Sequence, residues 1–306
     1  MNASTLTNSV PRSRKYLDPE TLQKIGSLEL IAREVVEGIR IGMHKSPLKG
    51  FSTEFAYHRP YVVGDPLRHL DWRVFARTER YYLKQYEAET DFTAHLLLDA
   101  SSSMHYRSGK VSKLEYAKYL AASLAYLVVT QRDSAGLAVF DSELRRYVEP
   151  SSTMTIISTI AEVLEKIEPT PRTNIAALLH EFAGRIKRRG FVILISDLLD
   201  NVDDFVKGLD HLRFRGHNVI VMQTLDPHEL TFPFDGAIKF KGLEEPGEIL
   251  TRPQRIRDTY LAELKKLLDK IKGACSKTGV DYVLVDTSKP VDQVIASYVM
   301  SRNMTL

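Results

Sequence analysis

The sequence predicts an α/β protein built on a doubly wound, mostly parallel sheet, and three observations carry that expectation. Short, almost wholly apolar runs at Thr93–Leu98, Phe191–Ile195 and Asn218–Gln223 read as strands buried on both faces. Segments with apolar residues three or four apart stand between them, as crossover helices require. Two of the strands run straight into polar residues, Asp99-Ala-Ser101 and Ser196-Asp197, at the end where open parallel sheets gather their ligands.

Taken in order, residues 1–17 read as a disordered leader. Asp18-Pro19-Glu20 offers an N-cap, a first-turn proline and a favourable acid. The helix that follows carries Leu22, Ile25, Leu28, Ile31, Val35 and Ile39 on one face, with Gly42 as its stop. Residues 43–92 mix aromatic and charged side chains around the turn signal Gly64-Asp65-Pro66, which predicts short strands and an extended arm. Helix and arm, residues 18–92, are therefore expected to pack on a core formed by residues 93–306. Within the core a helix is expected from about Ser112 to Thr130, then a hairpin of Ala135–Phe140 and Arg145–Val148 about Asp141-Ser142. Helices near 152–167, 174–188, 202–213 and 254–273, the strand Tyr282–Val285 and a helix from Val291 to Met300 complete the alternation. Residues 235–251 interrupt it as a small β excursion, and no internal repeat or low-complexity segment occurs.

Composition narrows the function classes. The 306 residues suit one large domain or two modest ones, and 43% apolar with 26% charged residues is the balance of a folded globular chain. With 42 Lys and Arg against 39 Asp and Glu, the net charge of +3 does not by itself imply a nucleic-acid or membrane partner, although it leaves room for local basic patches. A single cysteine cannot form an internal disulfide, which points to a reducing compartment. The longest apolar stretch, Leu120–Val129, is half of the ~20 residues a spanning helix needs. The start of the chain also lacks a signal peptide's basic and apolar regions, so a cytoplasmic protein without a membrane partner is expected.

The most informative stretch is Leu96-Leu-Leu-Asp99-Ala-Ser101-Ser-Ser103, an apolar strand entering Asp-x-Ser-x-Ser. One carboxylate and two hydroxyls at a strand's carboxyl end are hard oxygens of the kind Mg²⁺ prefers, in a shell of about six. Alone the triplet is a weak signal. Asp197 at the end of a second strand and Thr173-Asn174 at the start of a helix strengthen it. Read singly, Asp99 and Thr173 are equally well explained as caps, and Asp197 as a solvated loop residue.

Asp99, Ser101, Ser103, Thr173 and Asp197, in this order, resemble the metal-ion-dependent adhesion site of a von Willebrand factor A-type domain. The arm narrows the resemblance. The run from Gly50 to Arg77, with Glu54, Phe55, Tyr57, Arg59, Tyr61, Gly64, Asp65, Arg68, Asp71, Trp72 and Arg77, is similar to the signature of the bacterial "domain of unknown function 58" family. So are Leu225-Asp226-Pro227-His-Glu229 and Phe232-Pro-Phe234. The resemblance covers roughly residues 40–302 and departs at Phe240-Lys-Gly-Leu-Glu244, where a more acidic run is expected. It implies a doubly wound von Willebrand A core in which Ser101, Ser103 and Thr173 ligate Mg²⁺ (or Mn²⁺) through hydroxyls. Asp99 and Asp197 would reach the ion directly or through water, and a partner's carboxylate would complete its shell. It also implies association with MoxR-type AAA+ ATPases, in systems that assist maturation or assembly of other proteins.

Two rival functions are weighed against this. Between Lys45 and Lys84 eight Lys and Arg residues and four Asp and Glu residues alternate with aromatics, a mixture able to bind single-stranded nucleic acid. Interleaved opposite charges cancel the field that phosphates need, which favours an arm whose Arg59, Arg68 and Arg77 pair with Glu54, Asp65 and Asp71 while Tyr57, Tyr61 and Trp72 pack on the core. A strand-end Asp also suits Mg²⁺-dependent phosphoryl transfer. The position two residues on, where such enzymes place a second carboxylate, is Ser101. The chain holds no Gly-x4-Gly-Lys-Ser/Thr loop, no Gly-x-Ser-x-Gly elbow and no His-Glu-x-x-His helix. His58 and His69 lack zinc-ligand spacing, His105 alone stands near the proposed site, and Cys275 has no evident activating neighbour. No catalytic residues are expected.

Overall fold

The computed structural model describes residues 19–23, 27–43, 57–60, 72–78, 80–85, 92–168, 175–199, 202–236, 238–241 and 248–303, and in it the amino-terminal amphipathic pattern folds as two helices. These are α1 (Pro19–Leu22) and α2 (Leu28–Met43). Ser27 is not helical, and its carbonyl accepts the Ile31 amide at 3.0 Å, so the helix restarts there. The Leu28 amide donates to the Glu165 carboxylate at 3.3 Å, which ties that start to a distant helix. Leu28, Ile31, Val35 and Ile39 are buried as their spacing predicts, whereas Ile25 lies outside the described residues. Gly42 does not stop α2, which ends one residue later; a single glycine costs a helix only about 1 kcal/mol.

The chain divides into two units, one of Met1–Ser46 with Phe92–Leu306 and one of Pro47–Asp91. In the second, β1 (Tyr57–Pro60) pairs antiparallel with β2 (Tyr82–Gln85), and α3 (Trp72–Thr78) lies between them in sequence. Phe75 stacks on Tyr81 with ring centroids 4.5 Å apart, and Trp72 meets Phe75 edge-on at 6.2 Å.

The first unit carries the sheet. Its strands are β3 (Thr93–Asp99), β4 (Ser134–Phe140), β5 (Leu144–Ser151), β6 (Phe191–Ser196), β7 (Asn218–Leu225) and, after the small antiparallel pair β8 (Ile238–Lys241) and β9 (Glu248–Thr251), β10 (Asp281–Asp286). Their spatial order is β10-β7-β6-β3-β4-β5, and every pair is parallel except the β4–β5 hairpin. The chain winds from β3 to β4 and β5 on one side, then crosses to β6, β7 and β10 on the other. The topological switch point therefore lies between the carboxyl ends of β3 and β6.

Period-two alternation sorts the strand residues onto the two faces. Leu96 and Leu98 of β3 join the core that also contains α2, α4 (Lys113–Thr130), α5 (Thr155–Glu165) and α10 (Val291–Asn303). Leu97 faces the other way, into a core with α6 (Ile175–Arg185), α7 (Val202–Phe214) and α9 (Pro253–Thr278). α4 is apolar nearly all round because α2 covers the side that does not face the sheet. The short α8 (Pro227–Thr231), absent from the sequence reading, is held by a capping box in which Asp226 accepts the His228 amide and Glu229 accepts the Asp226 amide. Before β6, Gly190 permits a close crossing, since a Cβ there would stand 2.5 Å from the Thr93 carbonyl oxygen.

Candidate metal centre

β3 and β6 are neighbours, so the polar residues that end them meet. Asp99 is 1% exposed, and both its oxygens are engaged. Oδ1 accepts the Ser101 amide at 2.9 Å, and Oδ2 accepts the Ser196 hydroxyl at 2.5 Å. The Ala100 amide donates to the Phe140 carbonyl at 2.7 Å, which extends the ladder one residue beyond the strand and fixes the exit of the loop. A turn of 3₁₀ helix, Ser102–His105, then folds Ser103 back until its Oγ lies 3.0 Å from that of Ser101.

Across the switch point stands Asp197, next to the Ser196 that binds Asp99. Its Oδ2 lies 2.8 Å from the Nζ of Lys113, whose side chain is wholly buried. The same ammonium lies 2.7 Å from Oε1 of Glu229. Glu229 Oε2 accepts the Asp226 amide, and Asp226 Oδ2 accepts the Ser108 amide, both at 2.8 Å. One polar group thus joins Asp99 to Ser196, and from the next residue, Asp197, a second runs through Lys113 to α8 and the loop before α4. Gln223 supports it from β7 by donating to the Asp197 carbonyl at 2.8 Å.

Its electrostatics are unbalanced. Burial, and then the Asp197 charge, push Asp99 up to about 7 despite the donors from Ser196 and Ser101. Burial also raises Glu229, and its Lys113 partner offsets this only in part. At Lys113 burial acts against the ammonium, but Asp197 and Glu229 outweigh it and hold the pKa above the ordinary lysine value. The buried Asp99, Asp197 and Asp226 and the part-buried Glu229 share, among the described residues, one cation. That leaves negative charge to be neutralised by a proton or a metal ion.

The donor set fits a hard divalent cation. Adjacent oxygens on an octahedral Mg²⁺ with bonds of about 2.1 Å are about 3.0 Å apart, and the Ser101 and Ser103 hydroxyls already have that separation. Among the described residues no group of three or more His, Cys, Asp or Glu is placed to hold a metal, so a cation here would rest on hydroxyl as well as carboxylate oxygens.

The structure brings together Asp99, Ser101 and Ser103, and places Asp197 close enough for its charge to act on Asp99. Thr173 lies outside the described residues, as do Glu54, Phe55, Tyr61, Gly64, Asp65, Arg68 and Asp71 of the arm. Tyr57 and Arg59 fall in β1, and Trp72 and Arg77 in α3, where the Trp72 side chain is 61% exposed. Cys275 is buried, and burial pushes its thiol up to about 11, which keeps it protonated and unreactive.

Sequence reasoning missed Lys113. One signal was present: a lysine at the first position of an apolar helix opposes the positive end of the macrodipole and calls for nearby carboxylates.

The family model described as "Protein of unknown function DUF58" matches residues 57–267. The "Uncharacterized protein Mb1516" of Mycobacterium bovis is 25% identical over 232 residues, covering 74% of this chain and 72% of its own. Among solved structures, an aerotolerance-related membrane protein from Bacteroides fragilis aligns with a TM-score of 0.48 at 20% identity, over 69% of this chain and 99% of that one. The SpRpn10 VWA domain aligns with a TM-score of 0.36 at 9% identity, over 67% and 93%.

Proposed function

The chain belongs to the DUF58 family, and from its site we propose that it is a non-catalytic, Mg²⁺-dependent protein-binding module of the adhesion-site type, working with a MoxR-type AAA+ ATPase in the maturation or assembly of other proteins. The observation that carries this reading is the Ser101 and Ser103 hydroxyl pair, set at the spacing of neighbouring Mg²⁺ ligands beside the buried Asp99 at the switch point of the sheet. When bound, Mg²⁺ (or Mn²⁺) offers an open coordination position to a partner's carboxylate oxygen. The chain's own residues arrange the receiving face. Asp99 orients the Ser101 loop through its amide, Ser196 fixes Asp99, and Lys113 holds Asp197 in place.

The same geometry disfavours phosphoryl transfer. Both Asp99 oxygens already accept hydrogen bonds, which leaves the carboxylate poorly presented as a nucleophile, and Ser101 occupies the place of a general acid. A MoxR-type ATPase and its client, immobilised in turn, should retain the chain in Mg²⁺ and release it in EDTA. The Ser101→Ala/Ser103→Ala variant should fold normally, as read by its thermal midpoint, yet lose both the capture and the Mg²⁺-induced rise of that midpoint. Capture indifferent to metal and to both hydroxyls would remove the centre from the mechanism.

A further inference from the structure

The opposite end of the sheet has a different chemistry, and we propose that it is a docking surface for an anionic lipid bilayer. β3, β4, β6, β7 and β10 run parallel, so the segments that enter them lie along one edge. Those segments carry Arg132 before β4, Lys187, Arg188 and Arg189 before β6, Arg215 before β7 and Lys277 before β10. All six side chains are exposed, and among the described residues none has a hydrogen-bonding or ion-pair partner for its charged group. From β4 to β10 the strip spans four strand spacings, about 19 Å.

Helix C-termini attract cations for local reasons, and at α6 and α7 those needs are already met. At the end of α6, Arg185 pairs with Glu181. At the end of α7, Arg213 donates to the carbonyls of Thr278 and His217. Lys187, Arg188, Arg189 and Arg215 are additional to these, while Arg132 follows α4 and Lys277 lies in the last turn of α9. The loops that carry them touch: a Cβ on Gly216 would stand 2.8 Å from Nε of Arg189, and the Asn218 amide donates to the Gly190 carbonyl at 3.0 Å. The acids at this edge are engaged. Asp133 accepts the Phe92 amide, and Asp281 is held by the Tyr298 hydroxyl and Arg302. Beneath the strip the His217 imidazole is 2% exposed and its Nδ1 has no partner; burial first, then Arg215 and Arg189, lower its pKa.

Phe214 stands in this strip between Arg213 and Arg215, and its side chain is 90% exposed. One apolar ring set among cations fits a bilayer, with the cations on phosphates and the ring at the acyl boundary. Single-stranded nucleic acid, the other polyanion, calls for successive stacking platforms, and Phe214 is the single aromatic residue exposed along this strip among the described residues. Contact would be peripheral, since among the described residues no helix is long and apolar enough to cross a membrane. It would leave the metal centre at the far end of the sheet, turned away from the lipid.

The test is co-sedimentation of the full chain with vesicles of phosphatidylcholine alone or with about one-third phosphatidylserine, at low and physiological salt. We expect binding to the anionic vesicles only, weakening as salt rises. The triple variant Lys187→Glu/Arg188→Glu/Arg189→Glu should lower the partition coefficient by at least about a hundredfold, and Phe214→Ser by about tenfold, with thermal midpoints unchanged. Equal binding to both vesicle types, or full binding by the triple variant, would overturn the proposal. So would preference for a single-stranded oligonucleotide over the anionic vesicles at equal phosphate.

Discussion

The two ends of the central sheet invert each other. At the carboxyl ends of β3 and β6 the acidic groups are mostly buried and tied to named donors, and Asp99 resists ionisation, first through burial and then through the Asp197 charge. At the amino ends six exposed basic groups lack partners among the described residues, and the buried His217 beneath them resists protonation, first through burial and then through Arg215 and Arg189. One backbone makes both, because loops that follow parallel strands and loops that precede them never mix. The contrast teaches where substitution should be felt. Burial makes the acidic end part of the folding free energy, whereas the six exposed cations of the basic end should contribute little to it.

The strongest way to break the comparison is Lys113→Met. It would leave Asp197 and Glu229 as buried carboxylates without a cation and should cost about 3–5 kcal/mol in urea unfolding. A loss no larger than that of a surface substitution would show that the network is solvated. Next comes pH. Burial, and then the neighbouring His217, lower His95 from 6.5 to about 4. Between those values the unfolded chain binds a proton at His95 that the folded chain refuses, so the His95 contribution to stability falls as pH drops through the window, by on the order of 3 kcal/mol, against a contribution of opposite sign from Asp99. His95→Leu should remove the His95 contribution, so the gap between the variant and wild-type curves changes across the window; parallel curves would contradict it. Gly190→Ala should cost about 1–3 kcal/mol, because its Cβ would collide with the Thr93 carbonyl; this separates the rigid backbone of the basic end from its charges. Smallest of all, Lys187→Ala/Arg188→Ala should leave the thermal midpoint within experimental scatter.

Much of this was legible in the sequence. The strands of the sheet stood out because parallel strands covered on both faces must be apolar throughout. The Asp99-Ala-Ser101-Ser-Ser103 loop was legible because ligand, turn and strand end are contiguous in the chain. Lys113 was legible only as a cation oddly placed at the start of an apolar helix, since its partners Asp197 and Glu229 lie 84 and 116 residues away. The basic strip was hidden for a related reason. Only Lys187, Arg188 and Arg189 are contiguous, and a net charge of +3 averages the strip against the acids of the rest of the chain. The break between α1 and α2 escaped as well, because the apolar spacing runs on through Ile25 and Leu28 and outweighed the stop and start signals of Gly26-Ser27.

The seat of α2 has a consequence for how the chain is made. Its apolar face packs chiefly on α4, with α5 and α10 adding later, and about seventy residues separate α2 from α4, among them the whole of Pro47–Asp91. At a synthesis rate of about 5–20 residues per second, α2 leaves the ribosome roughly 4–14 s before its cover exists. For that interval Ile31, Val35 and Ile39 face water or a chaperone, and nascent chains arrested before Thr130 should bind a holdase more strongly than the full-length chain does.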